Sequence, residues 1–328
     1  MRIFYSPYEL KPRTSLSSQA SADARPGALL KIEHDDLGTG YADLFPWPEL
    51  GDQPLADQLA MLQSGLFTSL SRNSFVFTRA DARARAEKKS LWEGLAIPKN
   101  HKLITDAASL LTGDLLDKIL SEEFERIKLK LGREPKSDAD HVNKIAKKLN
   151  GKAKLRLDFN SSLTKSNWQT FCETLSAEAV NAIDFIEDPI EWDAKEGFGP
   201  SPRQLKLAVD RSSDTVIDST TCPDVIIIKP AVSDVASSLV KAKNWHKRIV
   251  FTSYLDHPVG QLWAAWSAAT AAKETAVDIC GLLSQDAYEP NSFQSLIMTE
   301  GPKLVPPHGT GIGWDAELES LCEWKELP

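Results

Sequence analysis

Two lysines one residue apart, Lys128 and Lys130, stand in the stretch Arg126-Ile-Lys-Leu-Lys-Leu-Gly132. Ile127, Leu129 and Leu131 alternate with them at the period of a β-strand, so both ammonium groups share one face. Taken alone, that face is the wet side of an ordinary strand. Later apolar runs also end in charge. Lys154-Leu-Arg-Leu-Asp-Phe-Asn160 sets Arg156, Asp158 and Asn160 on one face, and the runs that follow end in Glu187, Asp210 and Lys229. Singly, each acid could cap a turn or helix and each lysine could be solvated. As a set they suit one chemistry. Three carboxylates gathered at one mouth repel unless neutralised, and Asp and Glu without Cys or His call for a hard cation, Mg²⁺ where substrate and water share the site. A metal on a substrate carboxylate stabilises the enediolate left when the adjacent carbon loses its proton. A lysine can take that proton if its pKa, ordinarily about 10.4, falls towards neutrality, and a second lysine and a cation push it that way.

The elements that would position these groups begin near residue 100. Strand candidates at 101–104, 126–131, 153–159, 182–187, 205–210, 225–229, 248–253 and 277–282 are interleaved with amphipathic segments such as 138–149, 164–175, 235–245 and 259–273. Strands alternating with helices imply βαβ units and a parallel sheet, and eight of them point to a closed α/β barrel, whose chemistry sits at the C-terminal strand ends. No G-x-G-x-x-G follows an early strand, which removes support for a dinucleotide fold. Ahead of the barrel, residues 2–8 and 28–34 read as antiparallel strands, 54–70 and 79–95 as helices, and the Ser- and Ala-rich stretch 11–27 as a mobile surface loop of the kind that forms lids. Residues 302–313, with three prolines and three glycines, read as a surface return. His257, beside Pro258, reads as a surface loop residue.

Composition bounds the rest. The chain has 328 residues, 42% hydrophobic and 26% charged, with net charge −8. That balance is ordinary for a globular enzyme and gives no indication of a nucleic-acid partner. Four scattered cysteines show no C-x-x-C spacing, which fits a reducing cytoplasm. No apolar run approaches a membrane span and the N-terminus has no signal-peptide core, so the expectation is a cytoplasmic protein acting on a small-molecule carboxylate. Oligomeric state is left open.

On these residues the chain resembles the enolase superfamily, in its muconate-lactonizing-enzyme-like branch, and within it the o-succinylbenzoate synthase family. The K-x-K motif matches at Lys128 and Lys130, R-x-D-x-N at Arg156, Asp158 and Asn160, E-x-P at Glu187 and Pro189, and K-P at Lys229 and Pro230; Phe251-Thr-Ser-Tyr254 is similar to the family's serine-rich seventh strand end. Asp188 and Arg211 depart from the usual neighbours of the second and third acids. The resemblance implies an α/β fold: a (β/α)7β TIM-like barrel over 99–290, an N-terminal α+β capping domain with a lid loop over 1–98, and a C-terminal segment, 291–328, returning to the cap. It implies Mg²⁺, for which Mn²⁺ can substitute, on Asp158, Glu187 and Asp210. Lys130 is then the base, Lys229 the cation on the opposite face and Lys128 the support of Lys130, with Ser253, Thr252 and Asn160 near the substrate. The activity implied is dehydration of 2-succinyl-6-hydroxy-2,4-cyclohexadiene-1-carboxylate to o-succinylbenzoate in menaquinone biosynthesis.

Rival readings stay open at this level. An N-succinylamino-acid racemase or dipeptide epimerase would use the same two lysines. Mandelate-racemase-like chemistry lacks its His–Asp pair. A Schiff-base aldolase built on Lys229 leaves the three acids unexplained, and a non-catalytic barrel would bind an acidic metabolite without turnover.

Overall fold

The computed structural model describes residues 1–14, 16, 23–132, 134–211 and 213–328. The chain opens with an antiparallel sheet of β1 (Arg2–Leu10), β2 (Arg25–His34) and β3 (Gly38–Leu44). Gly38 takes the positive φ (84°) that the β2–β3 turn needs. Helices α1 (Leu55–Gln63) and α2 (Ser69–Ala86) cover the sheet, with Leu30 and Leu44 packed against Leu62 and Leu70. Gly40 lets β3 lie directly on α2, because a methyl group there would meet the Thr78 carbonyl oxygen at 1.9 Å.

Both strands run longer than the sequence reading has them, and β2, starting at Arg25, takes the last three residues of the 11–27 loop; Ser15 and residues 17–22 of that loop lie outside the described residues. Both helices differ as well. The first is shorter than 54–70, and the second begins ten residues before 79 and ends at Ala86. A reciprocal cap explains the early start: Thr68 Oγ1 accepts from Ser71 N at 3.2 Å while Thr68 N donates to Ser71 Oγ at 2.9 Å. Beyond Ala86, Lys88 has φ 54° and Leu91 N turns to the Gly311 carbonyl at 2.8 Å, so the helix cannot continue.

The second sheet has seven parallel strands in chain order. They are β4 (Lys102–Ile104), β5 (Arg126–Lys130), β6 (Lys154–Asp158), β7 (Ile183–Glu187), β8 (Leu207–Val209), β9 (Val225–Ile228) and β10 (Arg248–Phe251). Helices α3 (Leu115–Ser121), α4 (Pro135–Leu149), α5 (Lys165–Thr174), α6 (Ala177–Ala182), α7 (Val235–Asn244) and α8 (Pro258–Ala271) join or follow them. The strict alternation read from the sequence lapses twice. The β7–β8 and β8–β9 connections hold only single 3₁₀ turns, at Pro202–Gln204 and Ser213–Thr215; prolines at 200, 202 and 223 and few apolar residues at helical spacing leave nothing to bury a helix there.

The eighth strand shrinks to two bridge positions, Cys280 with Asn100 and Gly281 with Thr252. These tie the first strand to the last, and the sheet curls into a ring. Pairing stops there because side chains take the next donors: Leu282 N goes to Asn100 Oδ1 at 2.8 Å and Ile279 N to Asp278 Oδ1 at 2.7 Å. Val225–Ile228 is buried throughout, as a strand covered on both faces must be.

The chain then returns to the first sheet through β11 (Met298–Glu300), β12 (Lys303–Val305), α9 (Asp315–Ser320) and β13 (Lys325–Glu326), which pairs with β1. The return at 302–313 is more buried than a surface loop. Leu304 and Ile312 are inside, and Ile312 N donates to Asp81 of α2 at 2.6 Å. The Phe77 ring of α2 stacks on Trp263 of α8, centroids 4.7 Å apart, and joins the two sheets' helices. Among the described residues no helix is long and apolar enough to cross a membrane.

Candidate active site

Parallel register sets the charged strand ends side by side. Lys130 of β5 lies beside Asp158 of β6, Asp158 beside Glu187 of β7, and Glu187 beside Ala208, two residues before Asp210. Lys128 Nζ reaches both Glu187 oxygens at 2.7 Å and Asp158 Oδ2 at 2.8 Å, and Lys130 Nζ reaches the same Asp158 oxygen at 2.6 Å. On the other side of the mouth, Lys229 pairs with Asp210. Asp158 and Glu187 are each 1% exposed.

Burial alone would lower the Lys128 pKa, but Asp158, Glu187 and Asp210 outweigh it and hold the ammonium protonated. Asp158 is the converse: burial raises it, and Lys128 and Lys130 bring it below the usual carboxylate range. Glu187 is pulled both ways, upward by burial and Asp158 and downward by Lys128. With both its oxygens on the ammonium, the contacts support the ionised pair.

A cavity opens over this cluster, and Lys128, Lys130, Asn160, Asp210, Lys229, Thr252 and Ser253 all line it. Asp158 and Glu187 stay behind the lysines. Two residues after β6, Asn160 (φ 49°) donates its backbone N–H to Asp158 Oδ1 at 3.1 Å. Ser253 Oγ donates to Ser284 Oγ at 2.9 Å, and the buried Thr252 hydroxyl has no hydrogen-bond partner among the described residues. Asp188 is buried and receives Asp210 N at 3.1 Å and Arg211 N at 2.9 Å, so its carboxylate fixes the backbone that carries Asp210.

Below the lysines, Arg156 departs from the Asp158 layer. Its Nε binds Asp184 at 2.9 Å, and Asp184 also holds Arg126 at 3.1 Å and Arg248 at 2.9 Å. Sequence reasoning missed several residues of the cavity. Trp47, between two prolines, donates its indole N–H to the Tyr254 carbonyl at 2.9 Å and carries the Arg25 guanidinium 3.9 Å above its ring; Arg25 in turn pairs with Glu49 at 2.7 Å. Leu16, buried and also lining the cavity, was visible as the one large apolar residue between Arg13 and Ala24. His101, at the start of the first barrel strand, carried no signal of its own.

His257 is not a surface residue. It is 4% exposed, caps α8 by accepting Val259 N at Nδ1 (3.2 Å), and its ring sits 4.5 Å from Tyr8. Burial pushes its pKa down to about 3.

As they stand, no three acidic, His or Cys side chains among the described residues are gathered closely enough to hold a metal, and lysines pair with the carboxylate oxygens. The donor set nonetheless fits a hard cation. It is all oxygen, and Asp210 Oδ1 is buried without a hydrogen-bond partner among the described residues.

Residues 3–84 match the family described as O-succinylbenzoate synthase, N-terminal domain, and residues 112–218 the one described as Enolase C-terminal domain-like. The o-succinylbenzoate synthase of Bdellovibrio bacteriovorus is 36% identical over 333 residues, covering 100% of this chain and 99% of the relative. Among solved structures, the L-Ala-D/L-Glu epimerase from Bacillus subtilis superposes with TM-score 0.78 at 15% identity, covering 95% of this chain and 98% of that one. The dipeptide epimerase from Enterococcus faecalis V583, complexed with Mg and the dipeptide L-Leu-L-Tyr, gives 0.77 at 15% with the same coverage. The structural likenesses carry the fold, a TIM-like α/β barrel behind an N-terminal cap, and the full-length identity carries the family. The chain belongs to the o-succinylbenzoate synthase family of the enolase superfamily.

Proposed function

We propose that this chain dehydrates 2-succinyl-6-hydroxy-2,4-cyclohexadiene-1-carboxylate to o-succinylbenzoate, in the cytoplasm and for menaquinone biosynthesis. Residues 1–98 would serve as the cap, 99–290 as the barrel and 291–328 as the returning segment. One observation carries the reading: Lys130 and Lys229 face the same cavity from β5 and from the end of β9, each against an acid of the strand-end set. Lys130 Nζ takes the proton from the ring carbon that bears the carboxylate, and the electron pair moves into that carboxylate to give an enediolate. Lys229 stays cationic and offsets the new charge from the other side, while Lys128 holds Asp158 and Glu187 in place. The ring then expels its hydroxyl on the Lys130 face. The C–O bond breaks as the aromatic double bond forms, and the oxygen leaves as water with the proton from the Lys130 ammonium.

Asp158, Glu187 and Asp210 would hold Mg²⁺, or Mn²⁺ in its place. When bound it supplies fixed positive charge to the carboxylate on which negative charge accumulates. The test is a direct assay of aromatic product by absorbance, run beside deuterium exchange at the α-carbon of N-succinylamino acids. Turnover should need the divalent ion, and Lys130→Ala and Lys229→Ala should each abolish it. Full activity in excess chelator sinks the metal assignment. Exchange without dehydration would favour the racemase reading, which the pair of lysines on opposite sides also supports.

A further inference from the structure

The cavity holds an imidazole that the reaction above leaves without a task. His101 stands just before β4, is 5% exposed, and lines the cavity with Lys128 and Lys130. Its backbone N–H binds the Cys280 carbonyl at 2.8 Å, and its ring lies against Gly281. A methyl group at 281 would come within 2.5 Å of His101 Cε1 and 2.6 Å of Nε2. Glycine at the ring-closing bridge is what leaves room for the imidazole.

The arginine network beneath the lysines decides where the imidazole proton sits. Arg156 Nη1 lies 3.3 Å from His101 Nδ1. A guanidinium has only donors and stays charged, so Nδ1 must accept and a neutral ring carries its proton on Nε2. Arg156 cannot turn away. Nη1 also donates to the Ile279 carbonyl at 2.6 Å, Nε is held by Asp184, and Arg126 and Arg248 hold Asp184 from other strands. Burial first, then Arg156 and the lysines 128 and 130, push His101 well below the ordinary imidazole range against the pull of Asp158. Nε2 itself has no hydrogen-bond partner among the described residues.

We propose that His101 is a substrate-contacting residue whose neutral Nε2–H donates a hydrogen bond to an oxygen of the bound carboxylate substrate. The proposal rests on the reading of this cavity as the reaction site. Three lysines already bring positive charge there, so a neutral N–H adds direction without a further cation beside the base. Arg126, Arg156, Arg248, Asp184 and Asp278, which pairs with Arg156 at 3.5 Å and with Arg248, then have a role at a distance. They are positioning residues that fix the tautomer.

Nitrogen-15 NMR of histidine-labelled protein, loaded with Mg²⁺ and assigned against His101→Gln, tests this directly. Two-bond proton–nitrogen correlations should show Nδ1 bare and Nε2 protonated between pH 6 and 8, and the Nε2 signal should move on saturation with o-succinylbenzoate. An Nδ1–H tautomer, an imidazolium, or an Nε2 signal unmoved by saturating product overturns the proposal. In kinetics, His101→Phe should lower kcat/KM roughly 10–100-fold, the range for a hydrogen bond to a charged group, with Mn²⁺ affinity unchanged; His101→Gln, which keeps an N–H, should recover part of it. Wild-type kcat/KM in His101→Phe also overturns it. A wild-type chain with no dehydratase turnover but a product-sensitive Nε2–H would sink the proposed reaction and leave the role of His101 standing.

Discussion

Lys128 Nζ sits 2.7 Å from each oxygen of Glu187, and the same ammonium reaches Asp158 at 2.8 Å. One buried cation thus neutralises two strand-end acids, and a metal ion drawn to those acids must compete with it. The competition has a thermodynamic signature. Saturating Mg²⁺ should raise the melting temperature by several degrees, since a ligand at 100 times its Kd adds about 2.7 kcal/mol to the folded state. Calorimetry with Mg²⁺ and with excess chelator reads the shift, and Glu187→Gln should remove most of it. Identical melting in both conditions would mean that the lysines, not a metal, are the permanent partners of these acids.

Asp188 acts through Asp210. Its carboxylate receives the two consecutive amides of Asp210 and Arg211, so removing it frees the backbone that aims the third acid. Asp188→Ala should weaken Mn²⁺ binding about 10–100-fold, the usual loss when a partner behind a metal ligand is removed. Asp188→Asn, which keeps one acceptor oxygen, should fall between. A Mn²⁺ titration followed by electron paramagnetic resonance measures both, and unchanged affinity in Asp188→Ala would assign Asp188 to the fold alone.

The barrel was legible because its strands are short, apolar and bounded by charge: Val225-Ile-Ile-Ile-Lys229 can be little else. The charged strand ends were legible for the same reason, since period-two spacing fixes which side chains share a face. What escaped the sequence depends on contacts between distant segments. The eighth strand ends where Asn100 and Asp278 take its donors. The start of α2 depends on the reciprocal Thr68–Ser71 cap, which uses Ser where Glu or Gln is the usual signal. His257 was misread because Pro258 suggested a loop, whereas the proline opens α8 and Tyr8 arrives from a strand some 250 residues away to bury the ring.

The Phe77–Trp263 stack (4.7 Å, 13° between planes) ties a cap helix to a barrel helix, and the Trp263 indole also donates to the Tyr41 carbonyl at 3.2 Å. Phe77→Ala should destabilise the chain by about 3–5 kcal/mol, the cost of deleting a buried aromatic ring. Phe77→Leu should recover much of the lost volume. Urea denaturation gives both values, and a loss below 1 kcal/mol in the alanine variant would show that the cap is held by its other contacts.

Among the described residues, Asp43 and Asp256 meet without a lysine or arginine hydrogen-bonded to either. Asp43 accepts from the Tyr8 hydroxyl and from His257 N at 3.1 Å, Asp256 Oδ1 is buried with no partner among the described residues, and a methyl group at Gly260 would lie 2.6 Å from an oxygen of each acid. Burial pushes Asp256 up to about 7, and burial with Asp256 raises Asp43. The folded chain therefore keeps a proton that the unfolded chain has released above its ordinary value of 3.8. Stability from this group is complete below that value and is lost as pH rises through 7. An amide cannot ionise, so Asp256→Asn should gain stability relative to the native chain by roughly 2–3 kcal/mol between pH 5 and pH 8. Urea denaturation at the two pH values measures that difference of differences, from which groups that do not interact with Asp256 cancel, while Asp43 loses the upward push that Asp256 gives it. Parallel pH dependence in the two chains would mean that Asp256 is already ionised at pH 5 and that a cation or water reaches it.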